Sequence, residues 1–102
     1  MSNIKTLITI QGVCEIVDKG ELSKNGNVNS IGLRLSSEKI RKIDHQKVTE
    51  EDIFNVRFWS TAADIINDEA NIGDTIWFTG HLRNKKGIEL KIDHFELYKK
   101  SV

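Results

Sequence analysis

The sequence predicts an all-β domain, a small five-stranded barrel with one short helix between the third and fourth strands. Three observations carry this. Apolar residues recur at every second position in five separate runs, as they do in half-buried strands. Gly-containing turn signals separate most of these runs, and one stretch, Ser60 to Ala70, switches to helical spacing. No proline interrupts pairing anywhere in the 102 residues.

The first strand is read over Leu7 to Val13, with Ile8, Ile10 and Gly12 on one face and Leu7, Thr9, Gln11 and Val13 on the other. Cys14 to Asn27 is too polar and Gly-rich for a helix, which excludes a split ferredoxin-like fold. Its Asn25-Gly26 pair marks a hairpin. The second strand, Val28 to Ser36, turns Ile31, Leu33 and Leu35 inward and Ser30, Gly32, Arg34 and Ser36 outward. Residues 37–52 carry too few apolar side chains for burial, so a long charged loop or a flexible hairpin is expected there.

The third strand, Ile53 to Trp59, sends Phe54, Val56 and Phe58 to the core and Ile53, Asn55, Arg57 and Trp59 to solvent. Ser60 or Thr61 offers a hydroxyl N-cap to the helix. Ala62, Ile65, Ile66 and Ala70 form its expected apolar stripe, with Asp64, Asp68 and Glu69 in water. Gly73-Asp74 turns the chain into the fourth strand, Thr75 to Leu82, with Ile76 and Phe78 inward. After a tight turn at Asn84 to Gly87, Ile88, Leu90 and Ile92 alternate along the fifth strand. Phe95 and Leu97 keep the spacing but shift by one, which predicts a bulge near Asp93 and His94. Strands and helix in this order form an oligonucleotide-binding (OB) fold, as one domain over residues 1–102.

Composition narrows the function. Fifteen basic and fifteen acidic side chains cancel, so the overall field draws no polyanion. The charges are nevertheless segregated: Lys39, Arg41, Lys42 and Lys47 share one segment and Arg83, Lys85 and Lys86 another, while Glu50, Glu51, Asp52, Asp64, Asp68 and Glu69 gather elsewhere. Cys14 is alone, and no apolar run approaches the roughly 20 residues of a membrane helix. The amino terminus lacks the pattern of a signal peptide, so a cytoplasmic location without membrane contact is expected. Nothing in the chain outlines a nucleophile elbow, a phosphate-cradling loop or a metal site; Asp93 and His94 are adjacent on a strand and point apart. His45, His81 and His94 are read as solvated surface groups. A binding protein is expected, neither an enzyme nor a holder of cofactor or metal.

The run Val56 to Arg83, read as VRFW, ADIINDEA and IGDTIWFTGHLR, resembles the bacterial single-stranded DNA-binding proteins and their small relative, the primosomal replication protein B. LITIQGVC is similar to that family's first strand and LKIDHFELY to its last. The resemblance covers nearly the whole chain. It implies an OB barrel, binding to single-stranded DNA and association as dimers or tetramers. By this resemblance Trp59 occupies the position of a base-stacking aromatic, with Arg57 and Asn55 on its face. Ile53 and Lys39 stand where two other stacking tryptophans of the family fall, and the short hairpin from Arg83 to Gly87 leaves a third without a counterpart. The chain reaches Ser101-Val102 without the Gly-rich spacer and acidic tail by which cellular members recruit repair enzymes. An accessory role in replication or recombination follows, in a cell or a mobile element.

The expected site joins Trp59, Arg57, Asn55 and Arg34 to the basic residues Lys39, Arg41, Lys42, Lys47, Arg83, Lys85 and Lys86. A flat ring for bases beside cations for phosphates is the requirement of single-stranded nucleic acid, and RNA meets it as DNA does. Trp59 has a second reading, a cap on the core against the helix, and the 39–47 segment has one as a plain solvated loop. Trp77 points outward between Thr75 and Thr79 on the fourth strand, off the ligand face, and is read as a subunit contact. The rival to nucleic-acid binding is a barrel that docks a replication protein or other partner.

Overall fold

The computed structural model describes residues 8–84 and 86–100. Among these the chain forms six strands and one helix: β1 (Thr9–Lys19), β2 (Ser23–Asn25), β3 (Val28–Ile43), β4 (Gln46–Trp59), α1 (Ser60–Glu69), β5 (Thr75–Asn84) and β6 (Ile88–Tyr98). The extra strand, β2, is a three-residue flap that pairs with the start of β3 around a Gly26-Asn27 turn, one residue on from the expected Asn25-Gly26. Leu7 and Lys85 lie outside the described residues.

All pairings are antiparallel, and the strands run β4-β3-β1-β5-β6 across the sheet. The two edge strands meet through Phe58 and Phe95, whose ring centroids are 5.3 Å apart at an interplanar angle of 72°. That edge-to-face contact closes the barrel at its helix end. Ile31, Leu33, Leu35, Val56, Phe58, Ile76 and Phe78 fill the interior, as their alternation predicts. The bulge also stands as predicted, since Thr79 pairs His94 while Gly80 pairs Ile92 and leaves Asp93 over. Gly80 is required there, because a Cβ would meet the Lys91 carbonyl oxygen.

Two strand expectations need correction. β1 continues past Val13, burying Cys14 and Ile16 in a segment read as polar; a bulge at Val17 then lets Asp18 and Lys19 pair with β3. Residues 37–52 take the hairpin rather than the loop form, in an unbroken ladder from Ser37↔Asp52 to Ile43↔Gln46. The turn is Asp44-His45, both left-handed (φ 52 and 65), the geometry that matches strand twist. None of these residues is buried, so backbone pairing rather than burial orders this arm.

The helix differs in its cap and its face. Trp59 occupies the N-cap position in an extended conformation and makes no side-chain cap bond, while Ser60 turns left-handed (φ 57) to start the helix straight from β4. Ile66 and Ala70 are buried and Ala62 packs against the core, as expected; Ala63 joins them in the stripe, and Ile65 lies on the rim at 38% exposure. Asp64, Asp68 and Glu69 are exposed, as expected. The far end is capped from outside: the Lys19 Nζ donates to the carbonyls of Asn67 (2.8 Å) and Ala70 (2.6 Å). A cation there satisfies orphan carbonyls and opposes the helix dipole.

Asp74 fastens the next connection. Its buried carboxylate accepts from the amides of Lys100 and Asn71 (3.0 Å each) and from the Lys99 ammonium (3.2 Å). The Lys100 amide, outweighing the burial that opposes it and helped by Asn71 and Lys99, holds the carboxyl below the usual carboxylate range. Backbone bonds Ile16 N to Asp74 O and Gly73 N to Ile16 O, 2.8 Å each, tie the same turn to β1.

Candidate nucleic-acid interface

The outer face of β3 and β4 is built by register. Ser30, Gly32, Arg34 and Ser36 lie opposite Trp59, Arg57, Asn55 and Ile53. Opposite Gly32, the Arg57 guanidinium lies low across β3 and donates from Nη1 to Ser30 Oγ at 2.8 Å. It sits 5.9 Å from the Trp59 ring centroid, within cation–π range. The Arg34 Nε donates to Asn55 Oδ1 at 3.3 Å. Trp59 is 53% exposed at the end of β4, so its indole does not serve as a lid on the core. Trp59, Arg57, Asn55 and Arg34 thus form one platform, as the alternation predicted.

The basic residues of the arm divide between its faces. Lys39 and Arg41 alternate onto the inner side, where Glu50 pairs with both, at 3.7 and 2.8 Å. Lys42 and Lys47 share the platform's side but stand opposite each other near the tip. They lie eight residues beyond Arg34 and Asn55, about 27 Å at strand rise. Between them and the platform sits a second like-charged pair, Glu38 opposite Glu51. A linear basic track from Lys39 to Lys47 is therefore absent; pairing distributes those charges, and sequence proximity alone did not reveal it.

Beyond Phe58 and Phe95 the edges β4 and β6 separate into an open cleft of about 1440 Å³. Phe54, read as core, lines it at 48% exposure, because no strand covers β4 at that level. Leu82, Ile88 and Leu90 line it as well, and Arg83 brings a cation, its Nε 3.9 Å from Glu89 Oε1. Trp59 and Arg57 border the same cleft. Lys86 is exposed at the β5–β6 turn, apart from this cluster.

No protein-family model matches the sequence, and neither does any curated protein. Solved structures match the fold. The second single-stranded DNA-binding protein of Mycobacterium smegmatis, SSBb, has a TM-score of 0.70 at 16% identity, over 89% of this chain and 88% of that one. The small single-stranded DNA-binding protein of Streptomyces coelicolor gives 0.71 at 14% identity, over 90% and 94%. PriB from Ralstonia solanacearum gives 0.69 at 17% identity, over 89% and 97%. The fold is that of bacterial single-stranded DNA-binding proteins and PriB.

On this OB barrel the second indole lies in another sector. Trp77 is half-buried on the outer face of β5, between Val13 of β1, itself 62% exposed, and Glu96 of β6. Thr75 and Thr79 flank it, and the Tyr98 hydroxyl, beside Thr75, donates to Glu96 at 2.7 Å. That bond to Glu96 raises the Tyr98 phenol above its ordinary value. His81 is not a free surface group: its Nδ1 lies 2.8 Å from Asp93 Oδ2 across the β5–β6 bulge. Only cross-strand register could have revealed that pair. Burial pushes the Cys14 thiol up, which keeps it protonated and inert.

Proposed function

We propose that this chain binds single-stranded nucleic acid, DNA in the first instance, on the outer face of β3 and β4. The observation that carries the reading is the exposed Trp59 indole with the Arg57 guanidinium fixed beside it. Bases stack on the indole while Arg57, Arg34 and, across the cleft, Arg83 meet phosphates. Each stacked base contributes on the order of 1 to 3 kcal/mol. The matched folds of known single-stranded DNA-binding proteins support this reading. The role is an accessory one in replication or recombination in the cytoplasm, with Trp77, Thr75 and Thr79 as a contact between copies.

A partner-docking barrel is the second reading, favoured by the neutral charge and by Glu50 neutralising Lys39 and Arg41. Anisotropy of a labelled oligo-dT at several salt concentrations separates the two. Three arginines on phosphates predict a logarithmic salt slope of about 2, at roughly 0.7 per neutralised phosphate. Absence of binding at low salt, or affinity indifferent to salt, would overturn the nucleic-acid reading.

A further inference from the structure

The arm formed by residues 37–52 treats its two faces differently. On the inner face opposite charges meet in cis, Lys39 and Arg41 both reaching Glu50. On the outer face like stands opposite like, Lys42 against Lys47 and Glu38 against Glu51. Directly opposed like charges weaken a ladder. All four are exposed, and among the described residues none has an oppositely charged side chain within 4 Å. Between the two pairs lies Ile40 opposite Thr49, with Ile40 at 70% exposure. Read from the tip, the outer face is therefore basic, apolar, acidic, with equal spacing on either side of Ile40.

Such a face is complementary to itself. We propose that the outer face of the β3–β4 arm docks on the same face of a second copy, the arms antiparallel about a two-fold axis through the Ile40–Thr49 level. That operation lays Ile40 on the second copy's Ile40 and Thr49 on its Thr49. It sets Lys42 over the second copy's Glu38, Lys47 over its Glu51, and the converse pairs by symmetry. The uncompensated charges of each arm are answered in trans, which the fold leaves undone in cis. Three ladder levels cover less than the roughly 800 Å² per partner of a standard specific interface, so the contact is concentration- and salt-dependent. It does not involve the Trp77 face. Once docked, Lys42 and Lys47 are engaged by carboxylates and do not serve phosphates.

The test is a charge swap read by sedimentation velocity of the full chain across concentration. Lys42→Glu with Lys47→Glu makes the face wholly acidic, and Glu38→Lys with Glu51→Lys makes it wholly basic. Each is expected to self-associate at least tenfold more weakly than the parent, with unchanged thermal melting because all four sites are exposed. An equimolar mixture of the two restores association, and so does one chain carrying all four changes. Ile40→Glu weakens association with the original charges in place. Identical masses for parent and both double variants at every concentration would overturn the proposal. So would a loss of association that mixing fails to restore, which would assign the face to a different partner.

Discussion

Phe58→Ala and Phe54→Ala together probe where the barrel ends and the cleft begins. Both rings alternate onto the inner side of β4, yet Phe58 is 3% exposed against Phe95 and Phe54 is 48% exposed in the cleft. Truncating a buried phenylalanine costs about 3 to 5 kcal/mol, because the lost transfer energy is joined by a cavity. At roughly 4 °C or more per kcal/mol, the melting point should fall by at least about 12 °C. At Phe54 half the ring is already wet and no closed cavity results, so the loss is about 1 kcal/mol. Urea unfolding at constant m-value measures both. Equal costs at the two sites, or a cost under about 1 kcal/mol at Phe58, would refute the closure described here.

Other consequences concern the joints of the fold and the site. Lys19→Met leaves the Asn67 and Ala70 carbonyls without their cation and should cost about 1 to 2 kcal/mol in urea unfolding; an unchanged midpoint removes the cap from the account. The Asp74 carboxyl is depressed in the folded chain from its ordinary 3.8. The unfolded chain therefore binds more protons just below that value, and the stability Asp74 contributes is present at neutral pH and lost as pH falls through the folded value. Asp74→Asn should lower the melting point at neutral pH and flatten its acid limb below about pH 4; identical pH profiles would contradict this. Trp77→Glu should reduce sedimenting mass if that face joins copies, and an unchanged mass removes the proposed contact.

Much of the barrel was legible because period-2 alternation reports burial directly: Ile31, Leu33 and Leu35 face Val56 and Phe58 as read. The platform was legible for the same reason, since Arg34, Asn55, Arg57 and Trp59 need only parity and one strand pairing to meet. What escaped depends on register between distant strands. The division of Lys39 and Arg41 from Lys42 and Lys47 follows from an unbroken 14-pair ladder, which a charged run without apolar alternation does not announce. Phe54 obeys the alternation and is still exposed, because exposure there depends on how far β4 and β6 diverge. Lys19 and Asp74 act through backbone groups, whose demands no side-chain pattern displays.

The central claim is that Trp59 stacks bases on the outer face of β3 and β4. Intrinsic tryptophan fluorescence during titration with oligo-dT at low salt tests it, using the parent, Trp59→Ala and Trp77→Ala. The expected result is quenching in the parent and in Trp77→Ala, with none in Trp59→Ala and an affinity there weaker by roughly 5- to 150-fold, the equivalent of 1 to 3 kcal/mol of stacking. Quenching that survives Trp59→Ala and vanishes with Trp77→Ala, or no quenching of the parent at all, would contradict it.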